Sequence, residues 1–459
     1  MRVVVVGGGI SGLAGAHRLR MMLGPDARIT VVEGSRRLGG ALRTVELAGV
    51  PYDVGAEAFL ARRPEATALV HELGLDGELA HPTPAGATVR AGGRTAPLPR
   101  HTVMGLPATP SDVAEVLSER GLARLAAEPT APLRWEPGSD VAVGELLRAR
   151  VGDEVVDRLV DPLLGGVYAG RADVLGLRAT LPAVATALDE GAPSLRDAAA
   201  AVLAETGDAA GPVFGTLRRG LVGLVDALTA AAGATLRLGS PVRALARSDG
   251  GWRLVLGSAA EPEALEADAV LLAVPPPALR RLLAGPVPAG AVAAGRVEVA
   301  SSAVVGLALP AGAALPDASG VLIAAGEPHV AKAFTFSSRK WTHARGSRVL
   351  LVRGSLGRHG EVATLQRDDG ELVAAVRADL AALTGIDAEP VDTVVARWGG
   401  GLPQYATGHL EAVTALEAAV AAQPGLAIAG AMLHGVGIPA CIATADAAAS
   451  RIAAHHPTS

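Results

Sequence analysis

Arg2-Val3-Val4-Val5-Val6-Gly7-Gly8-Gly9-Ile10-Ser11-Gly12 stands at the start of the chain, with Glu33 and then Arg37-Leu38-Gly39-Gly40 beyond it. Four successive valines read as an apolar strand that feeds a glycine turn and a helix. Gly7, Gly9 and Gly12 then carry the GxGxxG spacing. Gly7 permits the tight turn, Gly9 lets backbone approach a pyrophosphate, and Gly12 lets helix pack on strand. The helix that starts there offers unpaired N–H groups, that of Ser11 among them, to an anion. A second strand at Arg28–Val32 ends on Glu33, 21 residues beyond Gly12, where a ribose hydroxyl would be bound. These elements together describe a dinucleotide site.

Glu33 also opens an ExxxRxGG run through Arg37, Gly39 and Gly40. This resembles the FAD signature of glutathione-reductase-type flavoproteins and implies FAD, with Arg37 and Arg43 either neutralising the pyrophosphate or orienting the loop. NAD and a fortuitous glycine turn are the alternatives.

Composition bounds what else the chain can be. At 459 residues it is too long for one ordinary core, so two or three packed units are expected. A net charge of -5 gives no electrostatic reason to expect nucleic acid. Lys and Arg total 41, and only Lys332 and Lys340 are lysines, leaving 39 arginines to hold anions locally. The single cysteine, Cys441, excludes an intramolecular disulfide framework and a CxxC redox pair, and reads as packing. The histidines show no metal-ligand spacing, so no metal is expected. The richest apolar stretch, 426–445, is interrupted by Gly430, His434 and Pro439, which argues against a transmembrane segment. The opening valines end at once in glycine and read as a strand rather than a secretion signal, so the cytoplasm is the expected location.

The pattern along the chain is α/β, and five segments are expected. Residues 1–80 form the first part of a dinucleotide domain. Residues 81–213 are a mostly helical insertion, with helices at 111–122, 143–150 and 155–164. Strands return in 214–289, including 241–247 with Val242 beside an adenine, a Gly250-Gly251 hairpin and 269–274. Short β-rich runs over 290–396 suggest an antiparallel or mixed substrate sheet. Residues 397–459 repeat the opening logic with a strand at 426–429, Gly430, and a helix from about Pro439.

At Gly165-Gly166-Val167-Tyr168-Ala169-Gly170 the chain resembles the protoporphyrinogen/coproporphyrinogen oxidase family. Phe214-Gly215-Thr216-Leu217-Arg218-Arg219-Gly220-Leu221, Ala269 to Pro275, Lys332 to Trp341, Leu402-Pro403-Gln404-Tyr405 and Gly435 to Ile442 agree in order, over essentially the whole length. The FTFSSRKW stretch brings it nearest the actinobacterial, coproporphyrin-forming branch. Two positions depart from related patterns. Ala431 follows Gly430 where many FAD enzymes carry an Asp for the ribityl chain, and Ala87 falls where the mitochondrial-type branch has a propionate-binding arginine.

The resemblance implies a discontinuous Rossmann-type FAD domain with a substrate sheet and a helical insertion. It implies oxidation of a porphyrinogen, through flavin N5, with O2 as final acceptor and H2O2 released in heme biosynthesis, and transient contact with ferrochelatase. Flavin N5 would carry the chemistry; no Ser/His/Asp array is expected and no general base can be named from the sequence. Gly430, Gly437 and Ile438 would sit at the flavin, with the helix from Gly437 facing the charge that a reduced flavin gathers. Four propionates call for fixed cations. Lys332 and Thr335 rank first, then Tyr168, Arg339 and Lys340, with Arg171, Arg94, Arg100 and His101 as weaker candidates. Protoporphyrinogen oxidase is the nearest alternative; an amine oxidase, a carotenoid desaturase and a flavin-free porphyrin carrier are more distant ones.

Overall fold

The computed structural model describes residues 1–206, 211–345 and 348–455. The expected segments 81–213, 290–396 and 397–459 therefore each contain a few residues outside the description. Three sequence regions supply one parallel sheet of five strands, in the order Thr235–Arg237, Arg28–Val32, Arg2–Val6, Ala269–Leu272, Leu426–Ile428. Val3 to Val6 are buried, as a central strand covered on both faces requires. One face packs under the helices Ile10–Leu23, Val222–Ala232 and Ile438–Ala454. The other packs against the antiparallel meander Val242–Ser248, Gly251–Gly257, Pro262–Ala267 and the helices Pro276–Leu283, Pro288–Gly295 and His409–Ala421.

A second sheet has seven strands, in the order Asp392–Pro403, Val299–Pro310, Val349–Leu356, Ala331–Thr335, Gly320–Ile323, Ala87–Ala91, Arg94–Pro97. All neighbours are antiparallel except Gly320–Ile323 and Ala87–Ala91. One face is sealed by the helix Asp369–Thr384 through Leu372, Val376 and Leu380. The opposite face carries Ala308, Val349 and Leu351 and packs on Leu47, Tyr52 and Val54 of the flavoprotein-like half. The fold class is therefore the expected α/β one, a doubly covered parallel sheet beside a mixed sheet.

Two expectations within 81–213 need correction. Residues 87–97 form a hairpin in the seven-stranded sheet instead of part of a helical insertion. Its turn is Gly92-Gly93, both at positive φ, and Val89, Ala91 and Ala96 face the helical core. The helix expected at 111–122 is a short 3-10 turn, Pro110–Val113, followed by a helix at Glu119–Ala127. The Ser118 hydroxyl accepts from the Gly121 N–H and restarts the helix there. The other helices lie near their expected positions, at Val143–Val151 and, with a π-helical stretch Val156–Val160, over 153–168.

Candidate active site

Gly7 and Gly12 are fixed by contact. A Cβ on Gly12 would lie 1.8 Å from the Gly7 carbonyl oxygen, and one on Gly7 would lie 2.2 Å from that of Ala273, with Gly7 at φ +108. Gly9 differs: a Cβ there would meet only Gly40 Cα, at 3.9 Å. The turn at Gly39-Gly40 closes on this loop through the Gly39 N–H, which donates to Gly8 O at 2.8 Å. The result is an all-backbone cradle in front of the helix Ile10–Leu23. That helix has Gly9 as its N-cap, no side-chain cap and no acid in its first turn, so its leading N–H groups remain available to an anion.

Glu33 stands at the rim. Its carboxylate accepts from the Gly8 and Ser35 N–H groups, each at 2.7 Å, which locks the side chain beside the cradle. Arg37 folds back instead of reaching outward. It donates to Leu38 O at 3.2 Å and Gly40 O at 2.8 Å, and lies 5.7 Å from the Trp398 ring. Burial, and then Arg43, hold its pKa below the usual value while Glu33 opposes them. Of the two roles open to Arg37, this geometry fits bracing the loop. Arg43 is exposed. Ser11 is buried in the first turn of the helix Ile10–Leu23. Val242 is buried among Val6 and Val32 at the same sheet end, its carbonyl accepting from Arg281.

Helix Ile438–Ala454 mirrors the first. Gly437 is its N-cap, again with no side-chain cap and no acid in the first turn. The preceding loop starts at Gly430, at φ +139 with open space where a Cβ would stand, its N–H donating to Thr444 Oγ1 at 3.1 Å. Two uncapped helices thus begin at the carboxyl end of one parallel sheet, the arrangement in which open α/β sheets bind nucleotides. The donor set is backbone N–H plus one locked carboxylate, which fits a flavin dinucleotide.

On the mixed sheet, Lys332 lies at a bulge where Ala331 and Ala333 slip register against Leu356 and Ser355. It is 8% exposed, and its ammonium makes no hydrogen bond or ion pair among the described residues. Burial, then the charges of Arg358 and Arg353, push its pKa down to about 7, with Glu361 pulling the other way. Thr335, Gly320, Ala87 and Arg353 form one row across neighbouring strands. Arg353 is spent on the Asp53 and Gly55 carbonyls, at 2.8 and 2.6 Å, which ties this sheet to the segment after Val50–Asp53. Tyr168 is half-buried, its ring 5.4 Å from that of Tyr405.

The structure does not bring the other cations of that segment to Lys332. Helix Ser337–Lys340 turns Arg339 to the Leu315 carbonyl, at 3.0 Å, and Lys340 onto Glu57, beside the Trp341 ring. Arg171 pairs with Glu361 at 2.7 Å, and Arg94, Arg100 and His101 are exposed. Arg353, Arg358 and Glu57 escaped the sequence reading because long-range pairing alone distinguishes them from any other charged residue.

Residues 10–453 match the family described as flavin containing amine oxidoreductase. The chain belongs to that family. It is 45% identical over 448 residues to a coproporphyrinogen III oxidase of Mycobacterium tuberculosis, spanning 98% of this chain and 96% of the relative. It is 32% identical to one of Bacillus subtilis, over 98% and 97% of the two chains. The crystal structure of a candidate protoporphyrinogen oxidase from Exiguobacterium superposes with a TM-score of 0.87 at 30% identity, covering 99% of each chain. The chain is therefore a flavoenzyme oxidoreductase, and the glycine cradle and the two uncapped helix ends accord with that. Among the described residues no helix is long and apolar enough to cross a membrane.

Proposed function

We propose that the protein oxidises coproporphyrinogen III to coproporphyrin III in the cytoplasm, with FAD as the immediate and O2 as the final acceptor. The observation that carries this reading is the full-length likeness to coproporphyrinogen III oxidases. Six electrons and six protons leave the macrocycle in three two-electron steps, and three O2 become three H2O2. When bound, FAD supplies the acceptor for hydride from a carbon bridge of the substrate.

The chain's own residues bind and orient. Gly7, Gly12 and Gly39 permit the close backbone contacts that shape the cradle, Gly9 and Gly40 leave backbone room for the pyrophosphate, and the N–H groups that follow Gly9, Ser11 included, receive its charge. Glu33 takes the ribose, Val242 lies by the adenine, Arg37 braces the loop, and Arg43 faces the phosphate side. Ala431 has no polar side chain, so Gly430, Gly437 and Ile438 hold the flavin through backbone.

For the substrate, Lys332 is a buried cation whose ammonium has no ion pair or hydrogen bond among the described residues. A propionate beside it restores its charge and draws a proton from solvent on binding. Thr335 donates from the same side of the strand, and Tyr168 lines the slot. Arg339 and Lys340 are left out because they already serve Leu315 and Glu57. Ala87 offers no guanidinium, which weakens a grip designed for two propionates and favours the four-propionate substrate.

Anaerobic mixing with each porphyrinogen, followed by flavin bleaching, tests this. Faster bleaching and higher kcat/KM with coproporphyrinogen III are expected; preference for protoporphyrinogen IX would reverse the assignment.

A further inference from the structure

Strand Asp392–Pro403 of the mixed sheet ends on two buried residues that point into different parts of the molecule. Gln404 Nε2 donates to the Tyr168 carbonyl at 2.8 Å, holding the end of helix Asp161–Tyr168, where Ala169 takes a left-handed conformation. Tyr405 reaches into the loop between Gly430 and Gly437. Its hydroxyl donates to Ala431 O at 2.6 Å and accepts from the Gly435 N–H at 2.7 Å. One oxygen therefore closes the loop on itself at both ends.

The ring that carries this hydroxyl is itself fixed. Tyr405 is 2% exposed, stacks on His409 at 3.8 Å between centroids and lies in the helical core, against which Val436 of the same loop also packs. The His409 ring is buried and Nε2 has no partner, consistent with a neutral imidazole serving as a flat support. Position 431 is alanine, so no side chain there grips the cofactor; the loop is otherwise held by the Gly430 N–H on Thr444 Oγ1 and by the His434 ring on Glu417, and Tyr405 alone of these three spans residues 431 and 435.

We propose that Tyr405 is a positioning residue for the bound flavin: its hydroxyl sets the shape of the loop 431–435 and thereby the aim of the N-terminus of helix Ile438–Ala454. This rests on the flavin reading of the site. The hydroxyl is engaged by two backbone groups of the loop. Its effect is on how well the leading N–H groups of that helix meet the negative charge that a two-electron-reduced flavin gains, so the reduced cofactor depends on Tyr405 more than the oxidised one.

Tyr405→Phe keeps the ring, the stacking and the core, and leaves Ala431 O and the Gly435 N–H without their partner. The test compares oxidised-FAD binding to apoprotein and the reduction potential of the holoenzyme in wild type and variant. Oxidised FAD should bind about tenfold more weakly and reduced FAD about a hundredfold more weakly. The tenfold difference lowers the two-electron potential by about 30 mV. A variant with the wild-type potential and affinity overturns the proposal. Wild-type protein that binds no FAD overturns the flavin reading instead. Should the variant not fold, amide exchange in wild-type apoprotein decides: slow exchange at Gly435 is expected, and exchange at the rate of an open loop refutes the pin.

Discussion

Lys332→Met removes one buried ammonium and leaves an unbranched apolar chain of similar length in its place. In the folded protein Lys332 titrates at about 7 against an ordinary 10.5, because burial first, and Arg358 and Arg353 next, penalise the charged form. A depressed amine pKa means that the unfolded chain holds the proton more tightly. The group's contribution to stability is thus complete above 10.5 and is lost as pH falls to about 7. Inside that window wild type should gain at most about 1.4 kcal/mol per pH unit, or about 5 kcal/mol in all, and water entering beside the ammonium lowers both figures. The variant lacks this titration. Urea unfolding of the apoprotein should therefore show the variant ahead at pH 7, with its lead shrinking by about 1–2 kcal/mol by pH 9. A direct readout exists because the chain has only two lysines. Labelling lysine with 13C at the ε position gives two signals, and the one missing from the variant should titrate near 7. A midpoint for that signal above 9, or stabilities of wild type and variant that run parallel with pH, would refute the reasoning.

Other outcomes follow from contacts at the two sheets. Gly9→Val and Gly12→Val should part company: the first places its side chain in open cradle and should retain the fold while weakening flavin binding by at least about a hundredfold, equivalent to ~2.7 kcal/mol. The second drives a Cβ into Gly7 O and should unfold the protein or abolish expression; circular dichroism together with flavin absorbance separates the cases, and normal flavin content in Gly9→Val contradicts the cradle. Glu57→Gln strands the ammonium of Lys340 in a mostly covered site, at a cost of about 3 kcal/mol in chemical denaturation, and an unchanged midpoint would show the pair to be solvent-screened. Cys441, whose thiol burial pushes to about 11, should resist a thiol reagent at pH 8 until the protein is unfolded, and fast native labelling would show that its packing is wrongly described.

The nucleotide half was legible because its signals are local. A valine strand, three spaced glycines and an acid each impose a backbone shape within a few residues, and the parallel sheet, Glu33 and the cradle follow. Leu426–Ile428 and the helix after Gly437 repeated the same logic and were found the same way. The mixed sheet was harder to read. Prolines around the 87–97 hairpin suggested loops and helices, although Thr88-Val89-Arg90-Ala91 alternates and Gly92-Gly93 is a hairpin turn. Within one quoted segment, Lys332 ranks ahead of Arg339, yet both read as cations for the substrate. A register slip and a four-residue helix send them to different surroundings, and neither event leaves a mark on composition. Tyr405 was quoted only as part of a motif, because its two partners lie 26 and 30 residues further along.

The parallel sheet takes its strands out of sequence order, and this bears on how the enzyme is made. Ala269–Leu272 is joined on one side by Arg2–Val6, but its other edge is covered only by Leu426–Ile428. On the ribosome, that edge emerges naked and stays so throughout synthesis of residues 273–425, open to pairing with a neighbouring nascent chain. The second uncapped helix appears later still. The seam closes only once Leu426–Ile428 has been made, and the two helix ends can face one cofactor only after Ile438–Ala454 has followed.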